Sequence, residues 1–121
     1  MPKVARRLLI VAILALAGVL AVAAVTSAST TLSLKASKTK LAFNTKTLHA
    51  KRGTVTIVMS NPSSTPHAIA VEGHGIDKDG KTVGKGKTSR VTVKLKRGTY
   101  TFYCPVDGHK AAGMKGTLTV K

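Results

Sequence analysis

The sequence predicts an all-β fold: a sandwich of about seven or eight short strands, preceded by a hydrophobic N-terminal segment. Three observations carry this. Short runs rich in Val, Thr, Ile and Leu alternate apolar with polar residues, which is the period of a half-buried strand. Gly, Pro and Asn punctuate those runs at close intervals. Beyond residue 28, no stretch has the apolar spacing of a convincing helix.

In chain order, Met1 to Arg7 carries three cations and no acid, and Leu8 to Val25 is drawn only from Leu, Ile, Val, Ala and Gly. A basic start, an apolar middle and small residues at the end make a secretory leader. Thr26-Ser27-Ala28 and Val22-Ala23-Ala24 both suit cleavage. The run also just reaches membrane-spanning length, so residues 1–28 are expected to be either a signal peptide or a retained N-terminal anchor. Lys35, Lys38 and Lys40 follow closely, so charge bias does not settle orientation. Ser, Thr and Lys dominate residues 29–40, which read as a tether or a frayed first strand.

The domain proper is expected over residues 41–121. Leu41 to Phe43 and Thr47 to Ala50 are brief extended pieces, and Lys51 to Gly53 a turn. Thr54 to Ser60 is the clearest strand, with Val55, Ile57 and Met59 on one face, and Asn61-Pro62 ends it. Pro66 to Glu72 is expected as a second strong strand. Gly73 to Lys87, rich in Gly, Lys and Asp, is expected as a long loop with a hairpin-like turn at Asp79-Gly80. Ser89 to Lys96 alternates with Val91, Val93 and Leu95 inward, and Arg97-Gly98 turns the chain. Thr99 to Tyr103 and Lys115 to Lys121 are the last two strands.

Composition narrows the function. The chain has 20 Lys+Arg against 4 Asp+Glu, a net charge of +16, and loss of Lys3, Arg6 and Arg7 with the leader would leave +13. Such an excess favours acidic partners or anionic surfaces, or serves solubility alone. An aromatic content of 3%, the lack of a nucleic-acid motif and the leader argue against nucleic acid. Four scattered acids argue against carboxylate catalysis, and no Ser-His-Asp grouping is apparent, so the chain reads as a non-enzyme. With one cysteine, an internal disulfide and a two-cysteine binuclear copper centre are both ruled out.

That cysteine, Cys104, stands five residues before His109, and Met114 stands five after the histidine. A thiolate, an imidazole and a thioether on one short loop form a soft donor set. Two histidines, one cysteine and a weak axial methionine are the blue-copper electron-transfer pattern. The fourth donor must be a histidine from elsewhere: His67 is the best candidate, with His49 and His74 as competitors. The bland alternatives are a buried thiol, a solvated loop histidine and a methionine that merely fills the core.

Cys104-x4-His109-x4-Met114, with the upstream Asn61-Pro-Ser-Ser-Thr-Pro-His67, resembles the cupredoxins. Within them it is similar to the small plastocyanin, azurin and auracyanin type, over residues 41–121. The resemblance implies a Greek-key β-sandwich and one copper ion bound by His67, Cys104, His109 and Met114. It also implies an electron path through the solvent-facing edge of His109, within a low collar of Val106, Gly108, Ala111, Ala112 and Gly113. The family often has Asn after the upstream histidine; here that position is Ala68, whose backbone N–H remains free to donate to the sulfur. Pro105 has no N–H, whereas Val106 has one. Asn61 is expected to form a turn only, and Asp107-Gly108 a turn that aims His109.

The expected function is therefore an exported mononuclear copper protein that carries single electrons between redox partners. Those partners would have acidic docking surfaces, with membrane association through the N-terminal segment and a monomeric carrier. A copper carrier or buffer without a redox role is the alternative, although no exposed Met-rich or His-rich motif supports it. A third class, an interaction module of the same fold, would tolerate lost ligands.

Overall fold

The computed structural model describes residues 28–121 together with Gly18. The expected leader therefore lies outside the described residues. Eight strands follow in order: β1 (Ala28–Lys35), β2 (Thr47–Ala50), β3 (Gly53–Asn61), β4 (Ala70–Gly73), β5 (Ile76–Asp79), β6 (Lys87–Leu95), β7 (Gly98–Tyr103) and β8 (Lys115–Val120). They form a three-stranded sheet, β1-β3-β6, and a five-stranded sheet, β2-β8-β7-β4-β5.

Alternation builds the core. β3 points Val55, Ile57 and Met59 inward, all fully buried, and its antiparallel partner β6 sets Val93, Val91 and Ser89 opposite them. The facing sheet contributes Tyr100 and Phe102 from β7 and Leu118 and Val120 from β8. β-Branched and aromatic side chains fit such a pleated, half-buried surface, so pattern and propensity agree here. Gly116 is required by this packing: an added Cβ would run into the Phe102 ring and lie 2.6 Å from the Lys46 carbonyl oxygen.

Of the two readings of residues 29–40, a tether or a frayed first strand, the structure has a strand over Ala28–Lys35. β1 pairs in parallel with β3 along its whole length, from Ala28↔Gly53 to Lys35↔Ser60. Buried Ala36 and Phe43 then bridge to close the following loop. Only Leu34 of β1 is fully inside, because an edge strand with one half-covered face needs few apolar residues. Its Ser and Thr residues therefore read as linker.

Two further expectations are corrected. Of the expected strand 66–72 only residues 70–72 join the ladder, in β4; His67 makes an isolated bridge to Val83. The N–H groups of Ala68 and Ile69 turn aside to the Cys104 sulfur and the Ser89 hydroxyl. The chain reversal lies not at Asp79-Gly80 but at His74-Gly75, between β4 and β5, where φ is 50° and 79°. Two consecutive positive φ values match the right-handed twist of a two-residue hairpin. Asp79-Gly80 ends β5, and Gly80 donates to the Ile69 carbonyl at 2.7 Å.

Candidate metal centre

The loop between β7 and β8 is closed at its base by backbone bonds. Cys104 N–H donates to Met114 O at 3.0 Å, and Met114 N–H to His109 O at 3.0 Å. Inside it, His109 N–H donates to Val106 O, and Gly108, at φ 77°, takes the left-handed third position of that turn. This is the turn expected at Asp107-Gly108, and it sets the His109 ring over the cysteine. Gly113, at φ 108°, reverses the chain into Met114.

His67 arrives from the other side. The segment after β3 is held by Asn61, which is itself buried. Asn61 Nδ2 donates to the carbonyls of Thr65 (2.9 Å) and Val83 (3.0 Å), and its Oδ1 accepts from Ser63 N–H (2.9 Å). Val83 O also accepts His67 N–H at 3.1 Å, while Val83 N–H donates to His67 O at 2.8 Å. Asn61 is thus a clamp on the His67 segment, more than the turn-former expected from its place before Pro62. Ser89 does a related job from β6: its hydroxyl donates to Lys81 O at 2.6 Å and accepts from Ile69 N–H at 3.2 Å. The sequence signal for both was present but ambiguous, a polar residue at an inward position of an alternating strand.

The three sequence-predicted donors from His and Cys converge. His67 Nδ1 is 3.2 Å from His109 Nδ1 and 3.8 Å from Cys104 Sγ, and Cys104 Sγ is 3.5 Å from His109 Nδ1. Cys104 and His67 are fully buried, and His109 is half-buried. Met114 is also fully buried and shares the core cluster with Cys104. Neither competitor joins this group: His49 is on β2, and His74 packs tilted against the Tyr100 ring with centroids 4.9 Å apart.

The donor set fits a metal ion. A triangle with sides of 3.2, 3.5 and 3.8 Å has its centre about 2.0 Å from each corner. Bonds of about 2.0–2.1 Å to imidazole and about 2.3 Å to thiolate are normal for a comparable divalent ion, zinc. Burial, then the charge of His109, hold the His67 pKa below its ordinary value, so its ring is kept neutral for ligation. With Nδ1 offered to the cluster, the proton sits on Nε2, which is buried and has no partner among the described residues. One backbone donor reaches the sulfur: Ala68 N–H, at 3.5 Å. Among the described residues Val106 N–H makes no such bond.

Beside the loop, Lys110 pairs with Glu72 and lies 4.4 Å from the Tyr103 ring centroid. The Tyr103 hydroxyl donates to Asp77 at 2.5 Å. Burial first, then that bond, push its pKa well above the ordinary phenol value. Asp107 forms no ion pair among the described residues; the lysine next to His109 pairs across to β4 instead.

Residues 30–121 match the family model of copper-binding proteins of the plastocyanin/azurin type. The chain belongs to that family. A plastocyanin from Dryopteris crassirhizoma is 39% identical over 66 residues, which span 54% of this chain and 63% of that protein. The dithionite-reduced auracyanin of Roseiflexus castenholzii superposes with a TM-score of 0.69 at 26% identity, covering 78% of this chain and 99% of its own. Auracyanin A of Chloroflexus aurantiacus, described as a "blue" copper protein, gives 0.67 at 22% identity over 78% and 100%. At that identity the likeness speaks to the fold, and the two sheets are those of the Greek-key cupredoxin sandwich. Copper is the metal of this family, and the His₂Cys donors with a neighbouring methionine suit it.

Proposed function

We propose that this protein is an exported carrier of single electrons, with one copper ion held by His67, Cys104, His109 and Met114. One observation supports this above the rest. The chain's only thiol meets two imidazoles from separate segments, at spacings that admit one ion. Bound copper supplies one-electron exchange between Cu(I) and Cu(II). The protein's part is to hold the donors still. The β7–β8 backbone bonds fix Cys104, His109 and Met114, and the Asn61–Val83 clamp fixes His67. Little then moves when the charge changes. The Ala68 N–H stabilises electron density on the sulfur and so favours the reduced state.

His109 is the site residue nearest solvent. Exposed Gly108, Ala111, Ala112 and Gly113 around it let a partner approach closely. The partners proposed are redox proteins with acidic docking surfaces, met by a monomeric carrier, which suits the +16 charge. Export, as a free protein or one anchored by residues 1–28, rests on the leader. No catalytic role is assigned.

The test is optical. Copper(II) added to the purified protein should give an intense blue thiolate-to-copper band and the matching EPR spectrum. Both should be lost in Cys104→Ser and kept in His49→Ala. A colourless copper-loaded protein would point to copper handling without electron transfer. Electron transfer to an acidic partner should slow as salt rises, and a flat salt profile rejects steering.

A further inference from the structure

The strand register gathers six cations at the pole of the sandwich opposite the metal centre. Lys51 and Arg52 form the turn before β3, Lys94 ends the exposed row of β6, and Lys96 and Arg97 form the turn into β7. Lys121 follows β8. Gly53 pairs with Leu95, Gly98 pairs with Val120, and Arg52 N–H donates to Lys121 O at 2.8 Å, so these segments meet. All six side chains are exposed, and no acid lies in these turns. The four acids are elsewhere: Glu72, Asp77 and Asp79 on β4–β5, and Asp107 in the metal loop. At the same pole, Ser29, Thr30, His49, Lys51 and Lys121 line a groove between the edges of β1 and β2, with the hydroxyls and bases a phosphate ester would need.

We propose that this pole docks on a bilayer rich in anionic phospholipid and holds the metal centre outward. Charge complementarity is the first reason, since clustered Lys and Arg are attracted to an anionic lipid surface. The second reason is where the chain enters. β1 begins with Ala28 beside Gly53 at this pole, and the apolar run Leu8 to Val25 ends three residues earlier. Three extended residues reach about 10 Å, comparable to the Debye length at physiological salt. A bilayer holding that run would lie within range of the cations. β3 runs from this pole to Asn61 at the site in nine residues, about 26 Å at about 3.3 Å per step. His109 would then face away from the lipid, open to a soluble partner. The docking does not depend on the copper chemistry at the far end.

The experiment uses the full-length chain in lipid nanodiscs, spin-labelled at Thr99→Cys beside the basic pole or at Lys85→Cys near the metal centre. Both positions are exposed, whereas Cys104 is buried. In phosphatidylglycerol discs, collisions of the label at 99 with a water-soluble relaxer should fall several-fold, and rise again in high salt. The label at 85 should not change, and phosphatidylcholine discs should leave both accessible. The reversal K51E/R52E/K96E/R97E should make position 99 indifferent to lipid, with an unchanged circular dichroism spectrum showing that it folds. Equal accessibility at 99 in the two lipids, or shielding at 85 instead, overturns the proposal. So does heparin that shields 99 in phosphatidylcholine discs as fully as phosphatidylglycerol does, which would make the pole a site for soluble polyanions.

Discussion

Replacing Asn61 by alanine should unfold the protein far more easily than its place at the very end of β3 suggests. The side chain makes three hydrogen bonds, at 2.9, 3.0 and 2.9 Å, and is 1% exposed. Thr65 is exposed, so its carbonyl can return to water after truncation, and Val83 O keeps its bond from His67. Ser63 is buried, and its N–H would lose its only acceptor at a cost of about 1–3 kcal/mol. Adding about 1 kcal/mol for the other lost bonds gives about 3 kcal/mol. For a domain of this size that lowers Tm by roughly 12–24 °C. Urea and thermal unfolding of the metal-free protein would measure it. Asn44→Ala is the control: Asn44 is exposed, and its Oδ1 accepts one bond, from Lys35 N–H at 2.9 Å. Its loss should cost about 0.5–1 kcal/mol. Because the clamp also positions His67, copper affinity should fall by about 10- to 100-fold in Asn61→Ala alone. If the two variants unfold within about 0.5 kcal/mol of each other, Asn61 is only a turn residue and the clamp argument fails.

Met114→Ala should destabilise the metal-free protein by about 2–5 kcal/mol and Met114→Leu by less than about 1.5 kcal/mol, since the side chain is fully buried. Yet Met114→Leu should still shift the reduction potential, and an unchanged potential in voltammetry would make Met114 core filler alone. His67 holds its pKa below 6.5, so protonation favours the unfolded chain. The metal-free protein should be at full stability above about pH 6.5 and lose some as pH falls toward 5, a slope that His67→Ala should reduce in urea titrations. Gly116→Ala should cost about 1–3 kcal/mol by displacing the Phe102 ring, and a near-neutral value would show that this ring has room to move.

What the sequence made legible follows the physics of one face in and one face out. Val55, Ile57, Met59, Val91, Val93 and Leu95 declare β3 and β6 because one face must be apolar and the other need not be. The metal loop was legible because its donors are rare residue types at fixed spacing on one hairpin. β1 was legible only as one of two readings, a tether or a frayed first strand, because an edge strand is excused from that rule and its hydroxyl-rich face resembles a linker. The β4–β5 reversal was misplaced because Asp-Gly is the commoner hairpin signal, whereas Gly73-His74-Gly75 supplies the positive φ values used here. His67 came with a named competitor on either side, since nothing local distinguishes a ligand from another histidine. Long-range convergence decides it, and the same holds for Asn61 and Ser89. Their inward polar atoms find partners only when Val83, Lys81 and Ile69 are brought alongside.

The second strand has an awkward position in time. Among the described residues β2 hydrogen-bonds to one neighbour, and that neighbour is β8, the last of the eight strands. Until β8 is in place, Thr47 to Ala50 have no strand to pair with among the described residues, and the large sheet lacks its edge. A chain lacking residues 115–120 would keep every proposed ligand, His67, Cys104, His109 and Met114, yet leave Thr47 to Ala50 without the strand that holds them.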